Sequence, residues 1–500
     1  MDTETGFETG FETGFETDTY TDTSPETGFE TGFEETTETG FEETTDTGSE
    51  ETTGGGECEA QVHPRRSLIE TAPEALEGVS MAFLLQQAAS TTDLVADPEF
   101  TYTRIVDSFS TNAQAAQPGG SHCNDELVAG QPGLNGYPMQ CPRAEGGQVG
   151  NIDDWFPIAY VNRFDLASAD GSDCGEQRII MATNAQDRMF VIFEARIPNP
   201  DPQCGLAACT PVAKFWTDLG DISDPTARGE QLRAAFLDGH DALSAAGFEP
   251  FMTGVNMTFG SGQIRTNSFD DDPWTLRQFE FVTEGDRLGV IQVPVSNNSF
   301  APVWNDLSGH IAGPACRASI LANLDGLLTD NTARMGMTLA DICNTAESRD
   351  DDKVDYADAL LSGSGNFENA LAQKLADLGS DLSPVQLANR ATFASNCMGC
   401  HQAAEGFDLG HGVDAPSSMG FVHVDESTVV SCDGLPCFAI SPALRDDFLP
   451  DRRSIMQDFM DTSCNAVCEQ DNPAALQALL SGPATVGLPS GDIPLQQLLN

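Results

Sequence analysis

The chain has 500 residues, with 78 Asp and Glu against 23 Lys and Arg and a formal net charge of −55. A field of that sign excludes nucleic acid and anionic membrane surfaces as partners, and suits basic partners or a saline habitat. No run of 18 or more apolar residues occurs, so no transmembrane helix is expected, and Met1 leads directly into acidic repeats, so no signal peptide is visible.

Residues 1–57 are expected to form a disordered acidic tail. The unit Thr-Gly-Phe-Glu recurs, setting Phe7, Phe11, Phe15, Phe29, Phe33 and Phe41 among acids, threonines and glycines. Such a segment buries too little apolar surface to offset its ordering entropy. A solvated spacer, of the kind that stands behind the lipid anchor of a surface lipoprotein, is the plain reading. Phenylalanines acting as weak contact points for a partner are the alternative.

Residues 58–310 read as a β-rich (α+β) domain of unknown role. A helix is expected at 67–73, ended by Pro73, and another around 81–85. Short apolar runs at 158–161, 178–182, 190–195, 263–267, 276–282 and 288–295 read as strands, and 276–282 alternates as a half-buried strand does. Leu232, Phe236, Leu237 and Leu243 predict a helix over 228–246. The acids between Val161 and Glu176 invite a calcium reading, but their spacing is not that of an EF-hand loop, and an acidic turn held by Cys174 is the simpler account. G-x-S-x-G, H-E-x-x-H and the Gly-rich phosphate loops are absent. His63, His122 and His310 stand alone and read as packing or surface residues.

Residues 311–500 read as an all-α region. Helical segments are expected at 317–328, 338–343, 356–361, 367–376, 383–395 and 451–461. Of 14 cysteines, close spacing suggests the bridges Cys204–Cys209, Cys432–Cys437, Cys464–Cys468, Cys123–Cys141 and Cys316–Cys343. So many bridges imply an oxidising, extracytoplasmic compartment: periplasm, outer-membrane surface or secretion.

Cys397-Met398-Gly399-Cys400-His401 reads C-x-x-C-H, the spacing by which haem is attached covalently. Each thiol bonds one vinyl carbon, and the adjacent His ligates the iron. Ser383 and Pro384 cap and start the helix before it, with Leu387, Ala391 and Ala394 at helical spacing. A redox dithiol, a zinc half-site and a disulfide arm are the alternatives. A dithiol would follow a strand of a βαβ unit. Zinc would need a second pair, for which Cys432/Cys437 or Cys464/Cys468 would serve.

A short amphipathic helix running into C-x-x-C-H resembles the first helix and haem site of class I c-type cytochromes, over residues 383–465 or so. The resemblance implies a cytochrome c-like domain with haem c on Cys397 and Cys400 and His401 as proximal iron ligand. It also implies a distal ligand on a downstream loop. Met419 is ranked first, His423 second and His411 third; Met456 and Met460 read as packing on a terminal helix. The function implied is extracytoplasmic electron transfer to a redox partner protein or extracellular acceptor. The alternatives are a disulfide-stapled surface or binding protein without haem, and a haem-dependent peroxidase-like enzyme.

Overall fold

Alternation along a strand decides what each face of a sheet can bury, and here the two faces differ in kind. The computed structural model describes residues 60–183, 187–258, 264–351 and 355–463; the repeat tail and the expected Cys464–Cys468 pair lie outside them. In chain order come β1 (Ile69–Glu70), α1 (Pro73–Leu76), α2 (Met81–Ser90), α3 (Pro98–Asp107), and the short strands β2 (Leu127–Val128), β3 (Gln131–Leu134) and β4 (Tyr137–Pro138). The long strands β5 (Trp155–Arg163), β6 (Asp173–Thr183) and β7 (Met189–Pro198) follow. Then come α4 (Thr210–Asp221), α5 (Pro225–Arg233), α6 (Asp241–Ala245), α7 (Gly254–Thr258), β8 (Ile264–Ser268), β9 (Thr275–Glu284) and β10 (Arg287–Val293). All the pairings are antiparallel, in the order β1-β5-β6-β7-β8-β9-β10, and the short β11 (Ser348–Arg349) pairs with β9 at Leu276 and Thr275.

Ile179 lies opposite Tyr160 and Phe193, Phe193 opposite Ile264, and Ile264 opposite Phe279. These side chains therefore share one face. They form a single apolar core with Leu84, Tyr102, Ile105, Phe236 and Phe251, each such side chain contributing about 1.5–3 kcal/mol on burial. The other face is polar. Arg163 is opposite Glu176, Arg178 opposite Glu194, Arg265 opposite Gln278, and Asn267 opposite Leu276. It is covered by the C-terminal segment: Phe438 packs on Phe156, Glu426 pairs with Arg188, and Cys397 packs over Leu276.

That segment begins with the helices of a second core: α8 (Gly313–Asn323), α9 (Tyr356–Leu361), α10 (Asn366–Asp377) and α11 (Pro384–Ala394). These pack around Trp304, Tyr356, Leu371 and Leu387. A hairpin of β12 (Val424–Cys432) and β13 (Leu435–Ile440) follows, then α12 (Leu449–Ser463). The molecule is thus α+β. The all-α expectation for residues 311–500 does not describe what is seen, because β11 and the hairpin fall inside that region. The hairpin forms where Asp433-Gly434, both at positive φ, turn the chain between its strands.

Several boundaries moved for physical reasons. Pro73 opens α1 instead of ending a helix, as its missing N–H allows. The helix expected over 228–246 is cut at Gly239, whose φ of 103° only glycine adopts readily, into α5, one wide turn, and α6. Helix formation at 338–343 is limited to one short turn, Asp341–Cys343. The bridges Cys123–Cys141, Cys316–Cys343 and Cys432–Cys437 form. Cys209 instead joins Cys174, since the start of α4 brings it to a Cα–Cα distance of 5.3 Å from β6; Cys204 is bonded to another cysteine. The acids of 161–176 are taken by arginines, Asp165 by Arg163 and Asp173 by Arg196. Among the described residues no three His, Cys, Asp or Glu side chains converge as an ion requires, and no helix is long and apolar enough to cross a membrane.

Arg390 ties α11 to its surroundings. Fully buried, it donates to the carbonyls of Leu409, Leu327 (2.9 Å) and Thr329 (2.8 Å) and to Asp330 Oδ1 (2.6 Å). Arg390→Met leaves those acceptors unpaired and is expected to cost about 3–5 kcal/mol, read as a lower urea midpoint at unchanged slope. An unchanged midpoint would contradict this role.

Candidate functional site at the C-x-x-C-H segment

α11 starts with a complete capping box between Ser383 and Gln386. It stops at Ala394, where the Ser395 N–H returns to the Ala391 carbonyl. The Tyr356 hydroxyl donates toward the carbonyls of Ser299 (2.6 Å) and Ser395 (2.9 Å), fixing the point at which the helix ends. Beyond it, Asn396 Oδ1 accepts from Ser348 Oγ (2.7 Å) and from the Met398 N–H (3.0 Å), and the Cys397 N–H donates to Asn298 Oδ1 (3.0 Å). The chain then makes one wide helical turn, Gly399–Ala403, which carries Cys400 and His401.

Gly399 permits this turn. A Cβ there would stand 1.8 Å from the Thr392 carbonyl oxygen and 2.7 Å from its carbon. Only a residue without a side chain lets the turn lie that close to α11.

Cys397 and Cys400 are the free cysteines of the described chain, both half-buried. Protein surroundings push both thiols up, Cys400 to about 12, chiefly by desolvation. They are therefore neutral thiols at pH 7. The Cys400 sulfur lies 3.5 Å from His423 Nε2, and His423 Nδ1 lies 2.8 Å from Ser441 Oγ. The His401 ring is 4.7 Å, centroid to centroid, from that of His423 and 5.3 Å from that of Trp274. Trp274 stacks on Phe421, and Phe448 stands edge-on to His423. Burial pushes His401 down to about 4 and lowers His423 well below the usual histidine range, so both imidazoles are neutral at pH 7.

The structure gathers Cys397, Cys400, His401 and His423 at one place. Of the other candidates, Met419 bridges to Val422 beside His423, and His411, Met456 and Met460 lie apart. Met419 is half-buried against the first core. His411 is exposed and held between Asp330 (2.9 Å) and Asp381 (2.7 Å), whose carboxylates raise it. Met456 and Met460 are buried in the first core, Met456 sulfur accepting from Asn162 Nδ2 (3.4 Å). Sequence reasoning missed Trp274, Asn298 and Ser348. All lie about 50 residues or more from the motif, and no local pattern announces them.

The residues fit covalent haem chemically. Two unbridged thiols have the required spacing, a neutral imidazole follows, and a second stands beside it. His401 Nδ1 is buried without a hydrogen-bond partner. So are Trp274 Nε1, Asn267 Oδ1 and Ser395 Oγ. A buried polar atom left unpaired is costly, and these atoms lie on the elements around this segment.

No protein-family model, curated protein or solved structure matches the chain.

Three outcomes are expected of the protein without a bound group. Native Cys397 and Cys400 alkylate with iodoacetamide at pH 8 far more slowly than a free cysteine; equal rates would contradict the buried thiols. Gly399→Ala costs about 1–3 kcal/mol and speeds that labelling, whereas a silent substitution would contradict the close contact. Because His401 is lowered on folding, the unfolded state binds more protons between about pH 4 and pH 6.5, so stability falls as pH falls through that window. His401→Phe should therefore lose stability less steeply with acid than the wild type, measured by urea unfolding at pH 7 and pH 4.5.

Proposed function

We propose that this protein is an extracytoplasmic c-type haem protein that transfers electrons through one covalently held haem. The observation that carries the reading is the state of its cysteines. Eight described cysteines form four bridges, yet Cys397 and Cys400, at C-x-x-C spacing, stay apart. In the oxidising compartment those bridges imply, a free close-spaced pair persists when its sulfurs are engaged otherwise. The raised thiols argue against a nucleophilic dithiol, which needs a depressed value.

Cys397 and Cys400 would hold the haem and His401 would ligate it. His423 is favoured over Met419 as the second ligand, because its ring already faces His401. The bound haem supplies one-electron chemistry at iron, with a potential set by axial ligands and burial. The chain's part is to fix His401 through the turn that Gly399 allows, to orient His423 through Ser441, and to shield the site with Trp274, Phe421 and Phe448. A surface-binding protein without haem would share the disulfides but leave the thiol pair and two buried imidazoles without a role. With His423 beside His401, a peroxidase, which needs an open position at iron, is disfavoured. The cytochrome-like character belongs to the 383–465 region as a mode of haem attachment, and the acidic surface favours basic redox partners.

The test is expression with a secretion signal and a cytochrome c maturation system. The reading predicts a Soret band that survives acid–acetone extraction and is lost in the Cys397→Ala/Cys400→Ala protein. His423→Ala should then change the oxidised visible spectrum while Met419→Ala leaves it alone. A colourless wild-type protein sinks the proposal.

A further inference from the structure

A cavity of about 540 Å³ lies where the tip of the β12–β13 hairpin meets β1 and the start of α5. That volume is in the range small-molecule sites occupy. Ile69, Leu435, Pro436 and the Cys432–Cys437 bridge give it an apolar wall, and Arg65, Arg66 and Arg228 give it charge. The chain has 23 Lys and Arg against 78 Asp and Glu, so three guanidinium groups around one cavity run against its composition.

The fold gathers these groups and leaves some of their donors unspent. Arg66 Nη1 (3.2 Å) and Arg228 Nη1 (2.9 Å) donate to the same carbonyl, that of Ile222. Arg65, next to Arg66 in the chain, donates through Nη2 to Thr71 Oγ1 (2.6 Å) and to the Phe438 carbonyl (3.1 Å). Arg65 Nε and Nη1 and Arg66 Nη2 donate to no described residue. His63, which accepts from Arg66 Nε at 3.2 Å, lies within electrostatic reach of Arg66, Arg228 and Arg453 but of a single carboxylate, Asp433.

The carboxylates around the cavity do not answer that charge. Glu70 is taken by Arg228 and by the Ala72 N–H (2.8 Å), and Asp224 by the Thr226 N–H (3.2 Å) at the start of α5. Asp433 Oδ2 stops 3.6 Å from Arg66 Nε and 3.5 Å from His63 Nε2, longer than a normal hydrogen bond. Arg65 forms no ion pair with a described carboxylate; its partners are a hydroxyl and a carbonyl.

We propose that this cavity binds a small organic carboxylate, with its charged end on Arg65 and Arg66 and its apolar body against Ile69, Leu435 and Pro436. A guanidinium presents N–H donors in a planar fork that matches a carboxylate, and the apolar wall favours a carbon skeleton over a bare oxyanion. The site shares no residue with the C-x-x-C-H segment and does not depend on the haem reading.

The test is isothermal titration calorimetry of the full, disulfide-bonded chain at constant ionic strength. Benzoate is the probe, with its neutral counterpart benzamide and inorganic phosphate as comparisons. Benzoate should bind saturably, and about ten-fold or more tightly than either comparison. Arg66→Gln should weaken benzoate about ten-fold or more, and Leu435→Glu, which adds a carboxylate to the wall, should remove its binding. Should Arg66→Gln fail to fold, Leu435→Glu, in the hairpin, decides alone. No saturable binding of benzoate overturns the proposal. So does equal binding of benzamide or phosphate, and so does benzoate binding that both substitutions leave unchanged.

Discussion

A sheet face that carries Arg163, Glu176, Arg178, Glu194 and Arg265 cannot be buried under ordinary apolar helices. Desolvating those charges unpaired would cost several kcal/mol each. Yet Glu176 and Glu194 are 4 % and 2 % exposed, so something must cover them and answer their polarity. The covering element is the segment from Asn396 into α12, and it brings the C-x-x-C-H turn, His423 and Arg452 onto that face. The apolar face can be satisfied by almost any amphipathic helices. The polar face demands this particular lid, and that demand places the site.

The middle strands were legible because they are short apolar or alternating runs with turn residues between them. α9, α10, α11 and α12 were legible from their spacing and from the Ser383–Pro384 start. The hairpin was not. Its outer strand exposes Val429 and Val430 and offers no clean alternation. The long helix over 228–246 failed at Gly239, where backbone conformation overrode an apolar pattern that continued across it. The Cys174–Cys209 bridge was out of reach because proximity in sequence favoured Cys204, whereas α4 and β6 set proximity in space.

At the site, Cys397, Cys400 and His401 were legible as a local motif. His423 was identifiable as a candidate; in the structure its ring meets His401, and that of Phe421 meets Trp274. Its preference over Met419 was not legible, since it depends on which loop face turns inward. The anchors Asn298, Ser348 and Tyr356, and the arginines of the sheet, belong to elements far away in sequence. Their roles exist only once the fold has brought them together. The thiols themselves unify these observations: they are unbridged in a chain of bridges, neutral at pH 7, and next to two neutral imidazoles and a set of unpaired polar atoms.

The central claim is that these two sulfurs are committed to a covalent group. Its most direct measurement is peptide mapping of the matured, secreted protein after full reduction and alkylation. The account predicts that every bridged cysteine becomes alkylated while Cys397 and Cys400 do not, and that the peptide spanning them carries the mass of one haem. Alkylation of both, with no added mass on that peptide, would contradict it.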